Sequence, residues 1–337
     1  MTICFIRIIK YKIHLDNTLK VGIIFIAYNM MILLINFSGN ALYVVLQEIA
    51  LILFVIVFTQ MKMTEESIKK VTNYFAKMYY VGLICIFMCY NLRLTNIISM
   101  TVCKAVFAMS FFAIIKTKKK LLFTIFSSLV FFSIGERTSA VIFIAIYFLN
   151  MFIKKINKKI FFKLLFITFS AILIMIPRLY VWLQYEPVGK KLNDYSREIS
   201  GENFFSGRNR IWKVVYDELE DDQMFGLTYN NYILKSNNIN LSTHNLYIWL
   251  QMNGGYILLI LYLAFLYTIW MRFYKQKQNE VISYAASYLL GFMLLVNFEL
   301  LWLSNNFVVS IYMWFVVGFG LINTKKLEEN TTLIERE

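Results

Sequence analysis

The middle of the sequence contains a polar stretch that carries two groups of reactive side chains. It begins with SGRNRIW at positions 206–212, which includes Arg208 and Arg210, and it ends with THNLY at positions 243–247, which includes His244. Guanidinium groups bind phosphate oxygens in bidentate pairs, so the two arginines suit a diphosphate. Histidine titrates near neutral pH, so His244 suits accepting or holding the proton of a sugar hydroxyl. The stretch therefore combines an anion-binding element with a candidate proton acceptor.

Each of these residues also has a purely structural interpretation. Arg208 and Arg210 can belong to a solvated loop helix and pair with the acidic run Asp217–Asp222. His244 can be a residue near a helix N-terminus that hydrogen-bonds only to its own loop. The acidic run could bind a divalent cation, but its negative charges lie near a helix C-terminus, where negative charge is electrostatically unfavourable, so we interpret the run as a solvated face. The sequence thus predicts no metal site.

A second arginine-containing group, Glu136-Arg137, begins another apolar segment. An arginine at a helix N-terminus adds positive charge to an end that is already positive, which makes sense if both share a bound anion. We therefore place Glu136 and Arg137 among the candidate site residues. The alternative is an interfacial arginine that pairs with Glu136 or with a lipid headgroup.

The composition is that of a membrane protein. The chain has 337 residues, of which 59% are hydrophobic and 18% aromatic, and a mean hydropathy of +0.60. Apolar runs of about 20 residues, the length that crosses a hydrocarbon core, recur along it. The formal net charge is +14. The preference for lysine and arginine in cytoplasmic loops explains this charge, so we expect no nucleic-acid partner.

The apolar runs predict an all-α, polytopic transmembrane bundle of about ten spans. The predicted spans are Val21–Phe37, Ala41–Gln60, Val71–Tyr90, Thr95–Ile115, Leu121–Ile134, Thr138–Ile153, Ile160–Leu183, Leu246–Met271, Val281–Leu303 and Asn305–Ile322.

Charge then predicts the orientation. Lysines cluster in alternate loops, for example at Lys116–Lys120 and Lys154–Lys159. Ten spans with both termini in the cytoplasm place every lysine cluster inside, which agrees with the positive-inside rule. The regions are then a seven-span bundle (1–183), an extracytoplasmic loop with the candidate catalytic residues (184–245), three C-terminal spans (246–322) and a cytoplasmic tail (323–337).

The long outer loop is predicted to fold over the membrane surface. Pro187–Gly189 has the composition of a turn, and Ser206 is a plausible N-cap for a helix over Arg208–Leu219. Trp212 and its neighbours at helical spacing give that helix an apolar face. Spans six and eight start at the same outer surface, so their N-termini bring Arg137 and His244 to that side.

Some ionisable residues within or beside apolar spans are candidates for a structural or functional role. Glu48 and Lys104 are at comparable depth by residue count, so we predict a buried ion pair between spans two and four. Glu299 lies one turn from the outer end of span nine, where it can serve as a second proton acceptor.

Several motifs together resemble the O-antigen ligase and polymerase (Wzy-type) family. They are RTSA at 137–140, SGR with a tryptophan four residues later at 206–212, Phe225-Gly226, HNLY at 244–247 and Gly254-Gly255. The resemblance covers about Ile134–Leu261. Thr228 stands where a second glycine is usual, and Glu136 stands where a small polar residue is commoner.

The resemblance implies a metal-independent inverting glycosyltransferase outside the cytoplasmic membrane that needs no cofactor. Its donor would be a saccharide on a polyprenyl diphosphate, and its acceptor a second lipid-linked repeat unit or a lipid A core sugar. His244, Arg208 and Arg137 would be catalytic. The expected substrate-binding residues are Arg210, Trp212, Asn245, Glu136 and Glu299.

The expected partners are lipid-linked oligosaccharides, membrane lipids and other polysaccharide-assembly proteins, such as a flippase or a chain-length regulator. Two other classes of protein stay open at this point. A flippase for lipid-linked sugars also needs cations for a diphosphate, but those cations would line a cavity through the bilayer. A non-catalytic scaffold would not need clustered arginine and histidine.

Overall fold

The computed structural model describes residues 16–61, 63–92, 100–200, 203–205, 207–229, 242–303 and 306–334, and these residues form helices without any strand. The helices are α1 (Asn17–Ile35), α2 (Gly39–Gln60), α3 (Glu65–Asn91), α4 (Met100–Lys116), α5 (Lys120–Ser133), α6 (Arg137–Lys155), α7 (Lys159–Tyr185), α8 (Pro187–Ser200), α9 (Arg208–Glu218), α10 (Leu246–Phe273), α11 (Glu280–Leu295) and α12 (Phe307–Ile334).

The helices confirm the predicted all-α membrane bundle. Within the described ranges, seven helices are long and apolar enough to cross a membrane, and α5 and α11 are shorter apolar helices. Each of the ten predicted spans coincides with a helix. Helix starts follow the usual capping chemistry: the side chains of Asp16, Ser38, Thr64 and Asn279 accept backbone N–H groups at the starts of α1, α2, α3 and α11.

Two details of the prediction are wrong. Pro187 begins α8 instead of a turn, because the fixed φ of proline suits the first helical position. Span nine was expected to reach Leu303, but α11 ends at Leu295 and an irregular segment follows, in which Trp302 has φ +82°. The last helix, α12, continues to Ile334, and the part of it that is long and apolar enough to cross a membrane, Phe307–Lys325, agrees with the predicted span ten.

The C-terminal helices form the centre of the bundle. Helix α10 packs on α1, α11 on α6, and α12 on both α2 and α4. The window of α12 that is long enough to span a membrane is 67% buried, whereas that of α3 is 22% buried. Large apolar side chains on outer helices, such as Leu34 and Phe126, remain exposed. Such an arrangement is stable in lipid, where apolar side chains need not turn inward.

One end of the bundle collects the lysine-rich loops. Arg272 pairs with Asp16 at 2.6 Å, and Lys120 pairs with Glu280. Lys325 Nζ donates to the carbonyl of Gln60 at 3.1 Å. These contacts join loops that are far apart in sequence, so the lysine clusters share one face of the molecule, as the alternation of charge predicted.

Helix α10 is interrupted at Gly254 and Gly255, and residues 223–227 of the long loop dock into the break. Leu227 N donates to Met252 O at 2.6 Å, and Tyr256 N donates to Gln223 O at 2.9 Å. Gly255 has φ +64°, and a Cβ built there would lie 2.1 Å from Met224 O. The two glycines therefore allow the backbone of residues 223–227 to complete hydrogen bonds that the broken helix leaves open.

Candidate active site

The carboxylate of Glu299 lies at the centre of the candidate site, in the irregular segment after α11. Lys104 Nζ lies 3.0 Å from Oε1, and an Arg208 guanidinium nitrogen lies 3.9 Å from the same oxygen. His244 Nδ1 lies 3.9 Å from Oε2. The last two distances are electrostatic contacts, since they exceed hydrogen-bonding range. One carboxylate thus faces cationic or basic groups from α4, α9 and the start of α10.

These neighbours set the charge of Glu299. Burial by itself would raise the pKa of this carboxyl, but His244, Lys104 and Arg208 oppose burial and hold the pKa below its ordinary value. Glu299 is therefore an anion at neutral pH. A lowered pKa makes a carboxylate a weaker base, and the expected role of Glu299 as a second proton acceptor stays a prediction.

Glu136 is a second carboxyl near the site, and its pKa is shifted in the opposite direction from that of Glu299. It is the N-cap residue of α6, it is buried, and its Oε2 accepts a hydrogen bond from Ser139 Oγ at 3.1 Å. Burial raises its pKa, the charge of Lys104 and the Ser139 bond act against this, and Glu299 raises it further. Two nearby carboxyls whose pKa values are pushed apart are a common arrangement for acid–base chemistry.

Lys104 corrects a prediction made from the sequence. We expected it to pair with Glu48, but it pairs with Glu299, and its side chain is only 7% exposed. Glu48 instead lies 3.4 Å from the hydroxyl of Tyr229. Counting residues along separate spans matches their depths but does not show which helices are neighbours. A single lysine in an apolar segment was the available signal for a role of Lys104 in the site.

His244 is held by its own loop and by α9. It has φ +47°, in the left-handed region. The Trp212 indole N–H donates to the carbonyl of Thr243 at 2.7 Å. The predicted apolar face of α9 is confirmed, with Trp212 and Val215 fully buried. Trp212 therefore fixes the backbone immediately before the histidine, and its expected contact with substrate stays a prediction.

Asn245 links the histidine to the segment that carries Glu299. Its Oδ1 accepts the Ile248 N–H at 2.9 Å as the N-cap of α10, and its Nδ2 donates to the Asn297 carbonyl at 2.8 Å. Leu246 N also donates to Val296 O at 2.9 Å. These bonds fix His244 relative to Glu299, and the predicted role of Asn245 in substrate binding is untested by them.

The arginines occupy different positions. Arg208 is the first residue of α9, whose N-cap is Gly207 with φ +74°; Ser206, the expected cap, lies outside the described residues. Arg208 contacts Glu299 instead of the acidic run Asp217–Asp222, which begins in the last turn of α9. Arg210 is exposed, and no ion pair with Glu299 is formed by it in the described structure. Arg137 is exposed at the start of α6, directly after Glu136.

The site lies below the end of the bundle at which α7 ends. Asn297 Nδ2 donates to the Leu173 carbonyl at 3.1 Å. Leu173 lies 12 residues before the end of α7 at Tyr185, which corresponds to about 18 Å of helix. The groups around Glu299 are therefore recessed beneath the level reached by α7.

A cavity of about 350 Å³ lies between α7, α9 and α10. Arg178 donates to the hydroxyl of Tyr256 and lies over the ring of Tyr216, 5.2 Å from its centre. Gln223 and Gln251 also line the cavity. The lining combines aromatic rings with both donors and acceptors. Arg178 follows Pro177 inside an apolar helix and was not among the candidate site residues predicted from the sequence.

Comparison with known proteins finds a family to which part of the chain is similar. Residues 121–263 match the family model described as O-Antigen ligase. The match includes Glu136, Arg137, Arg208 and His244 but neither Lys104 nor Glu299. It confirms the resemblance drawn from the motifs and indicates a glycosyltransferase-like enzyme among multi-pass membrane proteins. No curated protein and no solved structure matches the chain.

Proposed function

We propose, from the match to the O-antigen ligase family, that this chain is a polysaccharide polymerase. It joins oligosaccharide repeat units carried on polyprenyl diphosphate at the outer face of the cytoplasmic membrane, with both termini in the cytoplasm. The observation that carries the proposal is the convergence of Lys104, Arg208 and His244 on the carboxylate of Glu299.

The reaction is a single displacement at the anomeric carbon of the donor. The acceptor hydroxyl oxygen forms the new glycosidic bond, the bond from the anomeric carbon to the diphosphate oxygen breaks, and the configuration inverts. The hydroxyl proton passes to Nε2 of His244, while Nδ1 faces Glu299 and the carboxylate stabilises the imidazolium. Charge on the departing diphosphate rises during the step.

Arginines stabilise that charge. Arg208 is 25% exposed at its side chain and therefore accessible to a bound anion while remaining near Glu299. Arg137, at the start of α6, adds a guanidinium beside a helix N-terminus, where anions are favoured. Arg210, on the exposed side of α9, binds the more distant phosphate. Fixed cations of this kind do the work for which other enzymes recruit a metal ion, so we propose a metal-independent reaction.

The cavity between α7, α9 and α10 holds saccharide units of the substrate. Sugar hydroxyls both donate and accept hydrogen bonds, which suits the amides of Gln223 and Gln251. The rings of Tyr216 and Tyr256 offer apolar faces with polar edges. The carboxylates of Asp217 and Glu220, which also line this cavity, disfavour a phosphate there.

A reconstitution experiment tests the proposal. The purified protein in membrane vesicles receives lipid-linked repeat units as the sole substrate, and products are separated by size. We expect chains of several repeats from the wild type. Arg208→Ala, His244→Ala and Glu299→Gln should leave single repeats on the lipid. Arg197→Ala, an exposed arginine on α8, is the matched control and should polymerise normally.

The same experiment distinguishes the other functions. Transfer of repeats only when a separate saccharide acceptor is added would indicate a ligase, which the description of the family model favours as the second candidate. Movement of lipid-linked repeats across the vesicle membrane without new bonds would indicate a flippase. Either result would overturn the proposal that the chain is a polymerase.

A further inference from the structure

We propose that a second cavity, at the lysine-rich end of the bundle, binds the headgroup of an anionic glycerophospholipid. This cavity, called the basic cavity below, has a volume of about 570 Å³. It lies between the start of α1, the end of α2, the start of α7, the last turns of α10 and Lys325 of α12. It is at the opposite end of the bundle from Glu299.

Charge selects the ligand class. Four cationic side chains line the basic cavity, namely Lys159, Lys163, Arg272 and Lys325, and Asp16 is its one carboxylate. Asp16 is already paired with Arg272 at 2.6 Å. The lining therefore keeps a large positive excess, and a bound phosphate would reduce the repulsion between the remaining cations.

Two of the lysines are placed unfavourably unless an anion lies between them. Lys159 and Lys163 are four residues apart on α7 and line the same cavity. Like charges at this helical spacing destabilise a helix. In the described structure neither lysine has a carboxylate within 4.0 Å. A phosphate that contacts both ammonium groups would turn this repulsion into two favourable contacts.

Depth indicates a lipid and not a soluble phosphate. Tyr267 lines the cavity six residues before the end of α10 at Phe273, which is about 9 Å along the helix. Met271 and the buried residues Thr18 and Thr59 also line it. The basic mouth thus continues into a less polar groove between helices that cross the membrane. Basic pockets between transmembrane helices near the membrane surface suit anionic lipid headgroups.

Native mass spectrometry of the full chain tests the proposal. The protein, in a neutral detergent, is titrated with phosphatidylglycerol, with phosphatidylcholine of the same acyl chains, and with inorganic phosphate. We expect one phosphatidylglycerol molecule to be retained per chain. The variant Lys159→Gln/Lys163→Gln should weaken its retention at least tenfold, and Lys163→Arg should retain it. Neither phosphatidylcholine nor phosphate should displace it.

A matched variant separates the site from general surface charge. Lys118→Gln/Lys119→Gln removes the same charge from exposed lysines between α4 and α5 and should retain the lipid like the wild type. Equal weakening in both double variants would overturn the proposal, as would no weakening in either. Displacement by inorganic phosphate would identify a soluble anion site instead. Thermal unfolding in the same detergent confirms that each variant is folded.

Discussion

Glu299 shows how a single carboxylate can organise the charges of a largely buried site. Lys104 is its nearest cation, at 3.0 Å, and both side chains are largely buried. Removing one partner of a buried ion pair leaves the other without compensation, which costs more than the pair itself contributes. The importance of Lys104 therefore lies mainly in what its absence does to Glu299.

We expect Lys104→Met to destabilise the protein by about 2 to 3 kcal/mol, somewhat less than a fully buried pair because Glu299 is partly exposed. The double variant Lys104→Met/Glu299→Gln should recover most of this loss, since no uncompensated charge remains. Chemical unfolding in detergent measures the stability of the single and the double variant. Lys118→Met, at an exposed position, is the control and should change stability by less than about 0.5 kcal/mol. Additive losses in the double variant would contradict the ion pair.

Glu136 predicts a pH dependence of stability. Its raised pKa means that the folded protein binds this proton more tightly than the unfolded chain does. The contribution of Glu136 to the free energy of unfolding is therefore largest below the ordinary glutamate pKa, and it falls as the pH rises through the raised pKa. Glu136→Gln has no titrating group at this position, so its stability does not fall in this way. The difference in melting temperature between Glu136→Gln and wild type should therefore increase in favour of the variant from acidic to neutral pH. A constant difference in melting temperature would mean that the pKa of the Glu136 carboxyl is not raised.

At the scale of elements, the break at Gly254 and Gly255 divides α10 into two parts with different roles. The first half begins at Asn245 and carries the hydrogen bonds that hold His244, and the second half crosses the membrane. Residues 223–227 of the long loop hydrogen-bond across the break. Gly255 is the position where the loop backbone approaches most closely.

Gly255→Ala should therefore reduce both stability and polymerisation. Its φ of +64° strains any other residue, and the new Cβ would collide with Met224 O, an atom of the backbone that has no rotamer to change. We expect a loss of at least about 2 kcal/mol, measured by thermal unfolding, and shorter polymers on gels. Gly39→Ala is a matched control, because nothing lies within 4 Å of a Cβ built there. Equal behaviour of the two variants would show that the docked loop is dispensable.

The sequence predicts these elements better than it predicts their contacts. Apolar runs predict where the helices lie, because a hydrocarbon core imposes the length of each span. They give the wrong end for α11, since residues after Leu295 remain apolar although the helix stops there. The motifs identify Arg208 and His244. Lys104 and Glu299 lie 195 positions apart and meet only through helix packing, so local patterns carry no information on their pairing.

At the scale of the whole molecule, the bundle has two chemically different ends. One end holds Glu299 and its neighbours, and the other holds the lysine-rich loops and the basic cavity. The positive-inside rule assigns the lysine-rich end to the cytoplasm. The proposed reaction would then occur at the opposite surface.

Cysteine labelling in intact cells tests this orientation. In a chain whose native cysteines are replaced, Lys190→Cys on α8 should react with a membrane-impermeant maleimide added outside. Lys118→Cys, between α4 and α5, should react only after the membrane is opened. Both positions are exposed lysines, so each serves as the control for the other. The reverse pattern would place the candidate site in the cytoplasm.

The shared carboxylate of Glu299 also links the chemistry to biogenesis. The groups that neutralise it come from α4, from the start of α9 and from the loop just before α10, and all of them precede Glu299 in the chain. During synthesis the carboxylate is therefore made after every one of its cationic or basic partners, and it can be neutralised as soon as its segment packs among them. A chain that ends before Glu299 lacks the carboxylate, so under the proposed function it should not carry out transfer.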